Sequence, residues 1–323
     1  MQKEKMNKIC LTTVVYGDLY CDFIPFLIYS CHQAYPEYDI LIYVCGELPE
    51  RIKNMIANLC VPNAHVFENC FKNIQSNRKL DYKCLRWVLW DERFRNYDYL
   101  YVVDVDILYC REPIPLCEQH IQHMKITNMC YDNIQRSIKR TPFHWVQFFS
   151  RIKRAGLTSL GKFMMGDRLE KRVTGLHFVN VKQYFSVLTP QVLKKYENEI
   201  VSGKYLKYVM HSSDEIFLYH ILEKEGLSPE QLPIQTDSVA MLDFEHVDRL
   251  EFRPHHGLHL GIFRCADLSL FKKILSSKIY AYYVTEYLKY KKDVMFIRLL
   301  ENTSPQVKKI FSAIDDFYSI DKY

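Results

Sequence analysis

Short apolar runs alternate with segments of helical spacing over the first hundred residues, and this alternation limits the folds open to the chain. The strand-like runs are KICLTTVVY (8–16), ILIYVCG (40–46), AHVF (64–67) and YLYVVDVDIL (99–108). The helix-like segments are DFIPFLIYSCHQA (22–34), LPERIKNMIANLC (48–60) and LDYKCLRWVLWDERFR (80–95). Parallel strands need a crossover, which is usually a helix. The pattern therefore predicts an α/β fold with a mostly parallel central sheet flanked by helices.

Two aspartates, Asp104 and Asp106, directly follow the buried run YLYVV. In an extended chain residues i and i+2 point to the same side, so both carboxylates can face the carboxyl end of the sheet, where ligands bind. Two close carboxylates repel each other unless a cation lies between them. Mn2+ and Mg2+ prefer oxygen ligands and often bind phosphates as well. The pair predicts a metal site, with a turn cap and a solvated side chain as the alternative.

The composition of the 323-residue chain narrows the class of protein. Hydrophobic residues make up 48% and charged residues 25%, which is typical of a globular protein and excludes a disordered one. The net charge of +5 is modest and no dense basic stripe is present, so no nucleic-acid partner is expected.

Three further features favour a cytoplasmic protein. No run approaches the ~18 uninterrupted apolar residues of a membrane span. The start, MQKEKMNKIC, lacks the apolar segment of a signal peptide. The eleven cysteines are scattered and form no CxxC pair, so they are predicted to be free thiols of a reducing compartment.

The stretch YLYVVDVDILYCREPI resembles the DxD region of GT-A glycosyltransferases, especially those of family 8. Three more segments resemble motifs of that family and follow in its order: RVTGLHFVNVKQYF (172–185), HSSDEIFLYHIL (211–222) and HLGIFR (259–264). The resemblance covers about residues 8–265. The chain departs from the family at Val173-Thr174, where the family has Asn-Ser, and in an arginine-containing segment that replaces Lys-Pro-Trp.

The resemblance implies a GT-A fold, which is a Rossmann-like α/β arrangement, for a catalytic domain at residues 1–265. Residues 133–172 are expected to be a helical insertion near the acceptor, and residues 266–323 a helical C-terminal extension. The insertion mixes basic and aromatic residues, which suits either contact with an anionic membrane that carries a lipid-linked acceptor or a solvated segment packed on the domain.

The resemblance also implies a metal that grips the diphosphate of a nucleotide sugar. Asp104, Asp106 and His259 would be its ligands. The stretch PHHGLHLG holds two more histidines, His255 and His256, and His256 is the principal alternative ligand. Mn2+ or Mg2+ is the expected ion, because a divalent cation stabilises the charge that develops on a departing diphosphate.

The resemblance places uridine recognition in the first loop, TTVVYGDLY. The candidates for contacts to base and ribose are Thr12, Thr13 and Tyr16, with Asp18 or Tyr20 behind them. The alternative is a simple strand-to-helix turn at Gly17.

Five further residues are expected to bind the donor. Lys83 and Arg86 lie one turn apart in the segment before the aspartates and could point at sugar or diphosphate, or could be solvated cations. Val105, Gly175 and Gly261 complete this set. Glycine at Gly257 and Gly261 would let the backbone approach phosphate.

Asp214, Asn180 and Glu215 are the candidates nearest the transferred sugar. A carboxylate there could accept hydrogen bonds from sugar hydroxyls or stabilise positive charge. Asp214 could instead cap the helix SSDEIFLYHIL, with Ser212 or Ser213 as other caps, and Glu215 would then take its place.

The sequence thus predicts a metal-dependent hexosyltransferase that uses a nucleotide-diphosphate sugar, UDP-galactose or UDP-glucose in the first instance. The acceptor would be a glycan hydroxyl, in surface polysaccharide synthesis, and the resemblance implies retention of configuration. An inverting enzyme would need a carboxylate base such as Asp214, Glu215 or Asp243. The alternatives are a nucleotidyltransferase with the same acidic pair and an inactive nucleotide-sugar-binding protein.

Overall fold

The computed structural model describes residues 7–74, 76, 78–138, 170–207, 209, 213–234, 256–265 and 267–319. The strands within these residues are β1 (Ile9–Val15), β2 (Asp39–Val44), β3 (Ala64–Phe67), β4 (Tyr99–Val102), β5 (Ile107–Tyr109), β6 (Tyr131–Asp132), β7 (Gln135–Ile138), β8 (Glu170–Val173), β9 (His177–Asn180) and β10 (Gly257–His259).

The helices surround these strands and continue to the end of the described chain. They are α1 (Asp18–Cys21), α2 (Ile24–Ala34), α3 (Glu50–Leu59), α4 (Lys79–Cys84), α5 (Leu116–Thr127), α6 (Val181–Val187), α7 (Pro190–Val201), α8 (Asp214–Lys224), α9 (Lys272–Leu275), α10 (Lys278–Tyr290), α11 (Val294–Asn302) and α12 (Pro305–Tyr318). None of the helices in this part of the chain is both long and apolar enough to cross a bilayer.

Six strands form the central sheet, in the order β3-β2-β1-β4-β9-β6. The first four are parallel, whereas β9 runs antiparallel to both of its neighbours. The predicted α/β architecture with a mostly parallel sheet is confirmed. The reversed direction of β9 determines which of its ends lies near the site. Its first residue, His177, pairs with Val102 at the end of β4, and its last residue, Asn180, pairs with Tyr99 at the start of β4. The residues before β9 therefore lie at the carboxyl edge of β4, and those after it lie at the opposite edge.

The sheet separates two buried layers because successive strand residues point to opposite faces. In β2, Ile40 and Ile42 belong to one hydrophobic cluster, and Leu41 and Tyr43 belong to the other. Helices α2 and α3 pack in the first cluster together with α10–α12, whereas α4 and α6–α8 pack in the second. Helices thus cover both faces of the sheet.

The C-terminal helices pack onto the first layer through aromatic side chains. Phe296 of α11 and Phe311 of α12 contact Phe26 of α2, with ring centroids 5.7 and 5.0 Å apart. Burying a phenylalanine stabilises a fold by about 1.5–3 kcal/mol. The expected helical extension is present, and the domain boundary expected at residue 265 stays a prediction.

Three local predictions fare differently. The continuous helix expected at 80–95 is wrong, because α4 ends at Cys84 and short 3₁₀ turns follow at Leu85–Trp87 and Glu92–Asn96. The strand expected at 99–108 is divided by a turn, so that β5 leaves the central sheet and pairs with β10. The helical insertion lies largely outside the described residues, and its two ends form the antiparallel β7–β8 hairpin.

All eleven cysteines are free thiols, as expected, and five of them are buried. Cys10 and Cys31 illustrate the physical consequence. Burial raises the pKa of each thiol far above its ordinary value, so both stay protonated and behave as small apolar side chains.

Candidate functional site

The turn that ends β4 meets the strand β10 beside the carboxyl edge of the sheet. Ile107 of β5 pairs with His259 of β10, and the Leu260 N–H donates to the Asp106 carbonyl oxygen at 2.8 Å. This pairing places His259 beside the aspartates although it lies far along the chain. Ligand atoms of Asp104, Asp106 and His259 all lie within 4.8 Å of one another. Within the described residues it is the one such group of carboxylates, thiols or imidazoles.

The two ends of the His259–Asp106 pair influence each other's proton affinity. Burial raises the pKa of the Asp106 carboxyl, but the neighbouring His259 ring, a backbone hydrogen bond and Arg264 together hold that pKa below its ordinary value. Burial lowers the pKa of the His259 ring, but Asp106 and then Asp104 outweigh burial and raise it. The His259 Nε2 atom lies 3.5 Å from Asp106 Oδ1. The carboxylate is therefore ionised and oriented toward a nitrogen that could be a metal ligand.

Gly261 leaves space between these groups. A Cβ atom at this position would lie 2.5 Å from Asp106 Oδ2 and 2.9 Å from His259 Nε2. The donor set of two carboxylates and one imidazole is suitable for Mn2+, and two carboxylates suit Mg2+. The residues present thus fit a divalent cation, and the missing side chain keeps room for it.

Replacing Gly261 by alanine is expected to lower Mn2+ affinity about tenfold or more, comparable to the ~10–100-fold cost of disturbing a partner of a metal ligand. The new methyl group would push the Asp106 carboxylate and the His259 ring apart. The measurement is Mn2+ titration by calorimetry. Gly46→Ala is the matched control, because a Cβ there meets nothing within 4 Å. Equal affinities in the two variants would show that the space at Gly261 does not matter.

Arg86 connects the first aspartate to a second carboxylate. It lies in the 3₁₀ turn after α4, where its Nη1 donates to Asp104. Its Nε and Nη2 donate to Asp214 Oδ2 at 3.0 and 2.8 Å, and the Trp87 indole N–H donates to the same oxygen at 2.9 Å. The guanidinium also lies over the Trp87 ring, 4.2 Å from its centroid. This turn, and not a continuing helix, therefore aims both side chains at the site.

Asp214 is the first residue of α8, and its side chain does not cap that helix. Ser213 occupies the cap position without a side-chain hydrogen bond, and the Asp214 carboxylate binds Arg86 and Trp87 instead. The capping alternative therefore does not account for Asp214. Its side chain is 9% exposed, so the charge is held by the arginine and not by water.

Gly175 lies where these groups meet. A Cβ atom there would be 3.2 Å from Arg86 Nη2, 3.3 Å from Asp104 Oδ2 and 3.5 Å from Glu215 Oε1. Any larger side chain would fill the space between the aspartate, the arginine and the glutamate. Five of the candidate residues thus lie together: Gly175, Arg86, Asp104, Asp214 and Glu215. Their roles stay predictions.

Two arginines that sequence reasoning missed bind Glu215. Arg172 Nη1 lies 2.8 Å from Glu215 Oε2, and Arg136 Nη1 lies 3.8 Å from Oε1. Burial raises the pKa of the Glu215 carboxyl despite these two cations, and burial likewise lowers the pKa of Arg136. Arg172 directly precedes the Val-Thr-Gly motif, and that position is the signal that could have identified it.

Asn180 and His256 do not lie with this group. Asn180 ends β9 at the opposite edge of the sheet, where its Oδ1 accepts from the Gln183 N–H at 3.0 Å and caps α6. His256 is fully buried, with Nδ1 2.9 Å from Glu112 and Nε2 3.0 Å from His120. His255, Asp243 and Ser212 lie outside the described residues.

Near that opposite edge lies a cavity of about 590 Å³, lined by residues that include Tyr99, Lys125 and Asn180. It is remote from the carboxylates, and its lining holds neither the acidic pair nor His259.

The remaining donor-binding candidates differ in how far their side chains are exposed. Thr12 and Thr13 are buried in β1, and the Thr12 hydroxyl donates to the Leu41 carbonyl at 3.0 Å. Tyr16 is 39% exposed and stacks on Tyr82 with ring centroids 3.5 Å apart.

Asp18 is exposed at the start of α1, Lys83 is exposed on α4, and Val105 is buried in the turn between the aspartates. The first loop therefore offers Tyr16 and Asp18 to a ligand more readily than it offers the threonines.

Neither a protein-family model nor a curated protein matches the chain. Solved structures of glycosyltransferases are similar at low identity. The galactosyltransferase LgtC in complex with donor and acceptor sugar analogs is 16% identical, with a TM-score of 0.39, over 76% of this chain and 85% of LgtC. The mannosyltransferase Ktr4p from S. cerevisiae in complex with GDP is 10% identical, with a TM-score of 0.36, over 60% of this chain and 62% of Ktr4p.

The bifunctional glycosyltransferase WbbM is 13% identical, with a TM-score of 0.37, over 97% of this chain and 53% of WbbM. At such low identity and TM-score, the function has to be inferred from the residues of the site itself.

Proposed function

We propose that the protein is a metal-dependent glycosyltransferase that moves a hexose from a nucleotide-diphosphate sugar to a hydroxyl group of a glycan acceptor. The observation that carries this proposal is the group of Asp104, Asp106 and His259 at the carboxyl edge of the sheet, joined through Arg86 to Asp214. The motifs that resemble glycosyltransferases of family 8 contribute most of these residues.

Asp104, Asp106 and His259 would hold Mn2+ or Mg2+. When bound, the cation stabilises the negative charge of the leaving nucleoside diphosphate. Asp106 contributes an ionised carboxylate, because His259, a backbone hydrogen bond and Arg264 together hold its pKa below the ordinary value. Arg86 fixes the orientation of Asp104 through the hydrogen bond to its Oδ1. The ligands are therefore held in place before a substrate arrives.

Asp214 would bind the transferred sugar. Its three hydrogen bonds from Arg86 and Trp87 all end on Oδ2, which leaves Oδ1 to accept from a sugar hydroxyl. Because the carboxylate is largely buried and accepts hydrogen bonds from both Arg86 and Trp87, its orientation is fixed. Positive charge that develops on the sugar ring would be stabilised by this fixed negative group.

The donor is proposed to be linked to UDP, with galactose or glucose as the sugar and retention of configuration, as the motif resemblance implies. The exposed face of the first loop, with Tyr16 and Asp18, would receive the base and ribose. The acceptor would be a glycan, either free or linked to a lipid. The reaction would belong to surface polysaccharide synthesis at the cytoplasmic face of a membrane.

Calorimetry with UDP tests the proposal. UDP is expected to bind when Mn2+ or Mg2+ is present and not after the metal is chelated, because its diphosphate would be held through the cation. A screen of nucleotide sugars should then reveal slow, metal-dependent hydrolysis of one donor. UDP binding that is equally tight with and without metal would contradict the proposed metal role.

The same screen separates the alternatives. A nucleotidyltransferase would instead consume a nucleoside triphosphate and release pyrophosphate. An inactive binding protein would bind the nucleotide sugar with metal but would not hydrolyse it.

A further inference from the structure

The β7–β8 hairpin presents two arginines to the same carboxylate. Arg136 and Arg172 are direct partners in the antiparallel register, so their side chains lie on one face of the hairpin. Arg172 Nη1 lies 2.8 Å from Glu215 Oε2, and Arg136 Nη1 lies 3.8 Å from Oε1. Two like charges directly opposite each other repel, and here both approach one glutamate. The hairpin therefore concentrates positive charge at this face.

Three other carboxylates of this site, within the part of the chain that the structure describes, interact with other cations or would do so. Arg86 is held by Asp214 and Asp104, and a divalent cation would be held by Asp104 and Asp106. The positive charge of the hairpin persists at all relevant pH values because arginine stays protonated in proteins. A ligand of opposite charge that binds there would be attracted by the guanidinium groups of both arginines.

Arg172 also has a nitrogen that makes no hydrogen bond in the described part of the chain. Its Nε is buried and has no hydrogen-bond partner in the described part of the chain, whereas Nη1 is used by Glu215. Both arginine side chains remain 29% exposed, so a ligand can reach them from solvent. The planar guanidinium fork matches the two oxygens of a carboxylate or phosphate.

The arginines lie beside the proposed reaction centre. The Glu215 Oε1 that Arg136 approaches and the Asp104 Oδ2 atom lie 3.5 and 3.3 Å from the same Cβ position at Gly175. We propose that Arg136 and Arg172 form a binding site for an anionic group of a substrate, a carboxylate or a phosphate. This inference rests on the proposed function. The anion could belong to an acidic acceptor sugar or to the diphosphate of the donor.

Arg172→Gln tests the site, and Lys171→Gln is the matched control. Lys171 is exposed on the same strand, one residue away, so the control removes an equal charge from the opposite face. The first arm measures the affinity of UDP with saturating Mn2+. The second arm titrates inorganic phosphate into protein already saturated with Mn2+ and UDP. Each arm compares both variants with the unmodified chain.

If the anion belongs to the acceptor, Arg172→Gln lowers phosphate affinity about tenfold, which is a typical loss for one charge-assisted pair. The affinity for UDP is then unchanged. If the anion is the donor diphosphate, the same variant lowers UDP affinity about tenfold instead. Lys171→Gln changes neither quantity. The inference is overturned if Arg172→Gln matches Lys171→Gln in both arms.

Two checks keep the result interpretable. Arg172→Lys keeps the charge without the fork and should retain part of the anion affinity, so it replaces Arg172→Gln if that variant does not fold. If the unmodified chain fails to bind UDP with Mn2+, the proposed function fails. The phosphate arm, run without UDP, then still decides whether the arginines bind an anion.

Discussion

The Asp106→Asn variant is expected to lose metal-dependent UDP binding and donor hydrolysis almost completely. The substitution removes a charged oxygen ligand, so the loss should exceed the ~10–100-fold caused by changing a partner of a ligand. The melting temperature should fall by only a few degrees. Asparagine conserves the volume of the side chain, and His259 can release its proton once its neighbour is neutral. Calorimetry with Mn2+ and UDP, together with thermal unfolding, measures both effects.

Asp316→Asn is the matched control for this variant. Asp316 is exposed on α12, so the same chemical change there should affect neither metal nor nucleotide binding. UDP binding by Asp106→Asn that equals binding by the control would remove the metal site from the proposal.

Asp214→Asn is expected to lower the free energy of unfolding by about 3 kcal/mol, which is the lower end of the cost of breaking a buried ion pair. This loss should exceed the loss caused by Asp106→Asn. The side chains of Arg86 and Asp214 are only 11% and 9% exposed, so water cannot replace the lost carboxylate. Arg86 keeps Asp104 as a partner, which limits the loss. Chemical denaturation measures the free energy of unfolding, and donor hydrolysis should fall in the same variant.

A double-mutant cycle with Arg86→Gln isolates the interaction. The stability lost in the double variant should be smaller than the sum of the losses in the two single variants, by about 1–3 kcal/mol. The reason is that each single change leaves the other charge without its partner. Glu92→Gln removes one member of the exposed Arg95–Glu92 pair and should cost less than about 1 kcal/mol. Additive losses in the cycle would mean that Arg86 and Asp214 do not interact energetically.

The sequence identified the acidic pair because two local signals coincide there. An apolar strand ends at Val102, and carboxylates at a strand's carboxyl end lie where ligands bind in this class of sheet. The expected extended geometry does not continue to Asp106, which lies in a turn. The aspartates still converge because β5 and β10 pair beyond that turn.

The position of Asn180 could not be derived from its own segment. HFVN is recognisable as a strand, but the direction of a strand within a sheet depends on its partners and not on its own residues. Because β9 is antiparallel to β4, Gly175 and Asn180 lie at opposite edges of the sheet. Motif spacing alone had placed both near one site.

The choice among the histidines of PHHGLHLG also depended on long-range contacts. His259 pairs with β5 and faces the aspartates, whereas His256 has a φ of 61° and its ring enters a buried group with Glu112 and His120. The left-handed conformation turns His256 away just before the strand starts. Nothing in the spacing of the three histidines encodes that difference.

The pairing of β10 with β5 ties the site to the order in which the chain is synthesised. Asp104 and Asp106 leave the ribosome well before His259, because they precede it in the chain. A nascent chain that stops before β10 therefore has two adjacent negative charges without the imidazole that restrains one of them. The three-ligand site can therefore form only after β10 has been made and has paired with β5.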